Sequence, residues 1–276
     1  MDFRDITVIE LAEKIRSKEI SAIEVTQATL DNIDRLDGEL NAFCAVNSED
    51  ALAQAEALDR RIASGETPGP LTGIPIGVKD LEDARGFVTT YGSALHVEDA
   101  PATDDSVLVA RLRAAGCVIV GKTNTPEFGY KGMTDNIPFG ASRNPWNKER
   151  TPGGSSGGSA AALASGIIPL ATGSDGGGSI RIPAALCGFS GIKTSQGRVP
   201  NGGSKPPGSG ILSVKGPMAL RTRDTAFALD VCVGDHPSDI FALPRSDRDW
   251  SSQLDTVNPP AKVIWSPTMG FAKVDR

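Results

Sequence analysis

Two glycine-serine clusters dominate the middle of this sequence, one running from Thr151 to Ser159 and the other from Gly173 to Arg181. Each is flanked within a few residues by apolar segments, unlike flexible Gly/Ser linkers, which are longer and bounded by polar sequence. Consecutive glycines beside a serine let the backbone bend until several N–H groups converge, and such a concavity binds a phosphate or stabilises an oxyanion. Two such bends need a rigid frame, so the flanking apolar segments are the first place to look for strands.

Ile74 to Lys79 is a short apolar run ending at a charge, the pattern of a buried strand that delivers Lys79 to its tip. Asp104 to Ala115 reads as a helix stopped by Gly116 and followed by the strand Cys117 to Val120, a helix-to-strand unit of a parallel sheet. Ser159 to Ser165 repeats the unit as an Ala-rich helix stopped by Gly166, with Ile167 to Ala171 as a central strand. Before this frame, Thr7/Glu10 and Ser21/Glu24 are capping-box pairs that open two helices, with Ile9, Ala12 and Ile15 on one face and Ile23, Thr26, Leu30 and Ile33 on another. A third helix begins near Ser48. Thr225 to Val233 reads as a further helix and Ala261 to Trp265 as a strand, while residues 197–210 form a long Gly/Pro/Ser-rich loop. The expectation is an α/β fold: a mixed, mostly parallel sheet covered by helices on both faces. Residues 1–70 would be a helical segment packed on a core spanning 71–276, one domain overall.

At 276 residues, 39% hydrophobic and 22% charged, the chain is long enough to bury a substantial core. A net charge of -6 without clustered Lys and Arg argues against nucleic acid as a partner. The start lacks a basic stretch followed by an apolar one, and no uninterrupted apolar run reaches membrane-spanning length, which predicts a soluble, cytoplasmic protein without a membrane partner. Cys44, Cys117, Cys187 and Cys232 are widely separated, with no C-x-x-C pair, and their apolar neighbours predict buried thiols rather than disulfides or a metal site. No cofactor is implied.

Neither cluster carries a phosphate-loop or dinucleotide spacing. Gly153 to Gly157 does satisfy G-x-S-x-G, the nucleophile elbow of α/β hydrolases, which would make Ser155 a nucleophile served by a later histidine. The candidate is His236, in an ordinary turn context; His96 precedes the serine in chain order. With histidine weakly placed, a serine hydrolase can use lysine as its base, provided burial lowers an ordinary pKa of about 10.4. Lys79, at the end of an apolar strand, is best placed for that.

Several ordered blocks together resemble the amidase-signature hydrolases: Gly73 to Asp80, Thr89 to Ser93, Gly121 to Phe128, Asn144 to Trp146, both glycine-serine clusters, and Arg181 to Ala184. The resemblance runs from Gly73 to Pro200, with a weaker match on either side. It implies a Ser-Ser-Lys triad in which Lys79 is the base, Ser155 the bridging serine held by a cis peptide, and Ser179 the nucleophile. It further implies an oxyanion hole at Gly176, Gly177 and Gly178. Asp175 and Arg181 would hold the turn and Ser156 would hydrogen-bond the relay, their plain alternative being ordinary loop polars. The implied reaction is hydrolysis of a small-molecule carboxamide through an acyl-serine, without metal.

Members of that family normally continue well past the point where this sequence stops. The C-terminal part of the domain is therefore expected to be missing, leaving a sheet edge and apolar surface uncovered, so that the chain would be unstable, associate, for instance as a homodimer, or be a fragment. Glu127 to Gly132 looks unlike the corresponding segment of amidotransferase subunits, which favours a free-standing amidase over such a subunit or a non-catalytic fragment.

Overall fold

The computed structural model describes residues 1–66, 69–202, 212–256, 258 and 260–274. Both capping boxes form. Thr7 Oγ1 accepts from the Glu10 N–H at 3.0 Å while Glu10 accepts from the Thr7 N–H at 2.9 Å, opening α1 (Val8–Arg16). Ser21 and Glu24 repeat the exchange at the start of α2 (Ala22–Leu40). The buried face of α1 is Val8, Leu11, Ala12 and Ile15, with Ile9 only half-buried; in α2, Ala22, Val25, Thr29, Leu30 and Ile33 point inward and Ile23 outward. The edge strand β1 (Phe43–Val46), followed by α3 (Ser48–Ala63), has no counterpart among the elements expected from the sequence, and neither do the three strands at 135–136, 140–141 and 214–218.

The frame of the site follows. β2 (Pro75–Lys79), α4 (Val107–Ala114) and β3 (Val118–Thr123) form one parallel unit. A 3₁₀ turn (Glu127–Gly129) and the small hairpin β4 (Asp135–Asn136) and β5 (Gly140–Ala141) lead to α5 (Gly157–Ala164) and β6 (Leu170–Asp175). The chain goes on through α6 (Arg181–Cys187), β7 (Val214–Met218), α7 (Thr222–Cys232) and the short α8 (Trp250–Gln253). The main sheet has the order β1-β3-β2-β6-β7. Its three central strands run parallel, and the outer pairs β1–β3 and β6–β7 are antiparallel. Every residue of β2, β3 and β6 is buried. Because alternate residues of a strand face opposite sides, that burial requires cover on both faces.

Three expectations need correction. The strand expected at 167–171 begins instead at Leu170, since Pro169 has no N–H for the ladder, and its pairing with β7 carries it through Gly173 and Ser174 into the second glycine-serine cluster. Ala261 to Trp265 is not a strand: it has no ladder partner among the described residues, and Val263, Ile264 and Trp265 are 76%, 82% and 83% exposed. Cys44 is half-buried rather than buried, because β1 is an edge strand; Cys117, Cys187 and Cys232 are buried, and all four are free thiols. Of the 197–210 loop, residues 203–210 lie outside the described residues.

Helix α5 is the link between frame and site, and Gly158 in its first turn is where it comes closest. A side-chain carbon there would lie 2.4 Å from the Ala42 carbonyl oxygen and 2.4 Å from the Asn124 nitrogen, both backbone atoms unable to step aside. Gly158→Ala is therefore expected to lower the stability of the chain by about 1–3 kcal/mol or to prevent folding, measured by urea denaturation; an unchanged midpoint would contradict this packing.

Candidate active site

Lys79 is the last residue of β2 and Asp175 the last of β6, so both stand at the carboxyl ends of adjacent parallel strands, where open α/β sheets hold ligands. The two strands pair at Ile76 with Leu170 and Gly77 with Ala171. Beyond that point the Lys79 N–H is met by the Thr172 side chain at 2.8 Å. Into this end of the β2–β6 seam the Lys79 amine projects, fully buried, and donates to three hydroxyls: Ser155 at 2.7 Å, Ser156 at 2.9 Å and Ser174 at 2.9 Å. Burial lowers its pKa to about 7, against the opposing pull of Glu82 and Asp175. An amine surrounded by hydroxyls alone gains little on protonation and loses hydration, so it is poised to exchange a proton near neutral pH.

A second lysine shows what a different partner does. Lys122 also ends an apolar strand segment and is also fully buried, but Asp80 lies 3.0 Å from its amine, and the Glu82 carbonyl and Thr89 hydroxyl complete its bonds. The rule that singles out Lys79, a charge at the end of an apolar run, fits Lys122 equally well; the carboxylate separates them.

Ser155 is joined to Gly154 by a cis peptide bond, its carbonyl accepts from Thr125 Oγ1 at 2.9 Å, and it is buried. Ser156 ties the two clusters together: its hydroxyl meets Lys79, and its N–H donates to the Ser179 carbonyl at 3.1 Å. Ser179 is half-buried and, with Ser155, Ser174, Gly176 and Gly177, lines a cleft of about 590 Å³ walled by Leu81, Phe128, Tyr130, Ile182 and Leu212. That volume suits a small molecule. No direct hydrogen bond joins Ser155 to Ser179 here.

The turn before Ser179 is organised by Asp175. Its carboxylate accepts the N–H of Gly178 at 2.7 Å, that of Ile180 at 3.3 Å, and two bonds from the Arg181 guanidinium at 2.9 Å. Burial alone would raise this carboxyl, but the bonds from Arg181 and the amides outweigh it and hold it at about 2. The Gly178 amide is thus engaged within the turn. Gly176 and Gly177, the other two glycines beside Ser179, are exposed.

Neither histidine belongs to this cleft. His96 pairs with Asp99 at 2.8 Å and packs edge-on against Tyr91 and Phe128, and His236 bonds Ser238 at 2.8 Å. The Ser155–His236 elbow is therefore set aside: the group on Ser155 is Lys79. The residues that sequence reasoning missed are Ser174, Thr172, Lys122 and Glu82. Placing the strand through Asp175 gives the signal for two of them, because Thr172 and Ser174 then share one face. Among the described residues no cluster of three or more His, Cys, Asp or Glu side chains is placed to hold a metal ion, and no helix is long and apolar enough to cross a membrane.

The amidase family model matches residues 24–273. A glutamyl-tRNA(Gln) amidotransferase subunit of Methylobacillus flagellatus is 45% identical over 245 residues, covering 89% of this chain and 49% of that protein. Among solved structures, a bacterial aryl acylamidase of the amidase-signature family is 39% identical with a TM-score of 0.85, covering 90% of this chain and 51% of the other. A chain from a vestigial protein complex, described as revealing the evolutionary origins of an s-triazine catabolic enzyme, is 41% identical with a TM-score of 0.86 over 91% and 55%. The chain spans about half the length of the curated relatives it matches.

The depressed Lys79 titration has a thermodynamic signature. Its folded pKa of about 7 lies below the unfolded value of about 10.4, so between these pH values the unfolded chain binds the extra proton and stability rises with pH. Lys79→Met lacks this dependence. From pH 7 to pH 9.5 the wild type should gain about 3 kcal/mol relative to that variant in urea melts; parallel curves would mean that Lys79 keeps an ordinary pKa.

Proposed function

The chain belongs to the amidase-signature family, and we propose that it hydrolyses a carboxamide to a carboxylate and ammonia or an amine, with Ser179 as nucleophile and Lys79 as base acting through Ser155. What carries the reading is one contact: a fully buried, carboxylate-free lysine amine 2.7 Å from the Ser155 hydroxyl, in a cleft that Ser179 also lines. Neutral Lys79 accepts the Ser155 proton as Ser155 accepts that of Ser179, and the Ser179 oxygen bonds to the amide carbon. The Ser155–Ser179 hydrogen bond closes when substrate fills the cleft, as catalytic bonds commonly tighten on binding.

The negative oxygen formed in that step faces the free amides beside Ser179, each such donor contributing a factor of ~10²–10³. Collapse breaks the C–N bond, and the proton travels back from Lys79 through Ser155 to the leaving nitrogen. Water then attacks the acyl-serine, giving its proton to the same relay, and Ser179 is released with its proton restored. Asp175, Arg181 and Ser156 act by fixing the turn and the amine.

A fluorophosphonate probe tests the assignment. Covalent labelling should map to Ser179 by peptide mass spectrometry, vanish in Ser179→Ala and fall ~10²–10⁴-fold in rate in Lys79→Ala. Undiminished labelling of Ser179→Ala would overturn it.

A second reading has equal support from the relatives, since similarity extends both to the amidotransferase and to free amidases. In that reading the same site releases ammonia from an amide donor within a multi-subunit enzyme, and a protein partner is required. Ammonia release from glutamine that appears only when the other subunits of a related amidotransferase are added selects this reading; release from simple amides by the chain alone selects the first.

A further inference from the structure

Lys215 stands on β7 directly across the antiparallel ladder from Ser174, one of the three hydroxyls on the Lys79 amine. Its amine lies 2.8 Å from Glu82 Oε2, and Glu82 is 1% exposed. Glu82 belongs to the turn leaving β2, where its N–H donates to the Lys79 carbonyl at 2.9 Å and its own carbonyl accepts from Lys122 at 2.8 Å. The backbone of this carboxylate is therefore fixed next to the site, and the reaction derived above makes no use of it.

The charges around Lys79 balance without it. From β3, Lys122 is matched with Asp80; from β6, Asp175 with Arg181 of α6; from β7, Lys215 with Glu82. Across the cleft, Glu127 accepts from the Ser93 hydroxyl at 2.7 Å and Lys131 pairs with Asp135. Helix α5, packed against β2 and β6, carries no titratable side chain. Four of these carboxylates are matched by cations and the fifth, Glu127, is held by the Ser93 hydroxyl, and none of them is bonded to the Lys79 amine.

We propose that Lys215 is a positioning residue for the amidase reaction: by engaging Glu82 it denies Lys79 a carboxylate partner and so keeps its amine free to take the proton from Ser155. The proposal rests on Lys79 being the base. After burial, Glu82 is the strongest influence on the Lys79 pKa and acts to raise it. With Lys215 gone, the uncompensated Glu82 charge would hold a proton on Lys79 and disable it near neutral pH.

Two measurements decide the matter: the pH dependence of Ser179 labelling by a fluorophosphonate, and direct NMR titration of Lys79 in protein carrying isotope-labelled lysine. Lys215→Met should move both midpoints upward by roughly one unit, and Lys215→Arg should leave them near the wild-type value. Glu82→Gln, which leaves the Lys215 charge without its partner, should move them downward, and the double variant Glu82→Gln/Lys215→Met should return them towards wild type. A loss of packing alone would not produce shifts of opposite sign. Unmoved midpoints in Lys215→Met, or a double variant that stays displaced, would overturn the proposal. Should Lys215→Met fail to fold, the downward shift in Glu82→Gln and its reversal in the double variant carry the same test. Absence of Ser179 labelling at every pH in the wild type would count against the amidase reading, while the NMR midpoints would still decide the role of Lys215.

Discussion

The arrangement depends on one amine that is dry and has only hydroxyls for company. A lysine without a carboxylate partner is costly to bury as a cation, and the cost is avoided by giving up the proton. Around it the protein places other charges in matched pairs: Lys122 with Asp80, Asp175 with Arg181, Lys215 with Glu82. The sheet makes this arrangement feasible, because its parallel strands end together and their loops converge on one edge. Chemistry and architecture thus meet in a single requirement, that the end of β2 be buried on all sides while its last side chain meets hydroxyls and no carboxylate.

The two glycine-serine clusters solve different problems within that frame. The first enters α5, whose close approach to β1 and to the end of β3 leaves no space for a side chain at Gly158. The second is half strand and half turn: Gly173 to Asp175 pair with β7, and from Gly176 the chain bends around the Asp175 carboxylate. Ser156 joins them by touching the Lys79 amine and the Ser179 carbonyl at once. Helix α5 and the Ser179 turn are thereby held in fixed relation by bonds a few ångströms long.

Much of this is legible in the sequence where a local rule and the global fold agree. The capping boxes at Thr7 and Ser21 can be read because both partners are three residues apart. Lys79 stands out because an apolar run that ends in a charge marks a strand carrying that charge to its tip. The edge strand β1 is hidden by its brevity and by the helices around it, and its existence depends on β3 offering a partner 78 residues away, as the Cys44–Lys122 contact measures. Ser174 is hidden because a Gly/Ser-rich stretch reads as turn, whereas the ladder with β7 extends it as strand. The sorting of Lys79 from Lys122 is illegible for a deeper reason: it lies in which carboxylates reach which amine, and that is decided by side chains contributed from β3, β7 and the turn after β2. The strand expected at 261–265 shows the converse, an apolar run whose pattern is right but which has no neighbour among the described residues to pair with.

An uncharged amine is a good nucleophile as well as a base, and an enzyme that handles reactive acyl groups risks acylating its own lysine. Here the Lys79 amine is wholly enclosed and bonded to the Ser155, Ser156 and Ser174 hydroxyls, with Ser155 and Ser174 standing at the cleft wall. A proton crosses such a barrier by exchange of O–H bonds, without any heavy atom passing through, whereas a carbonyl carbon needs physical contact with the nitrogen. In the proposed reaction the hydroxyl screen would therefore transmit protons and exclude electrophiles, so that the half-buried Ser179 takes the acyl group and the lysine behind the screen is spared.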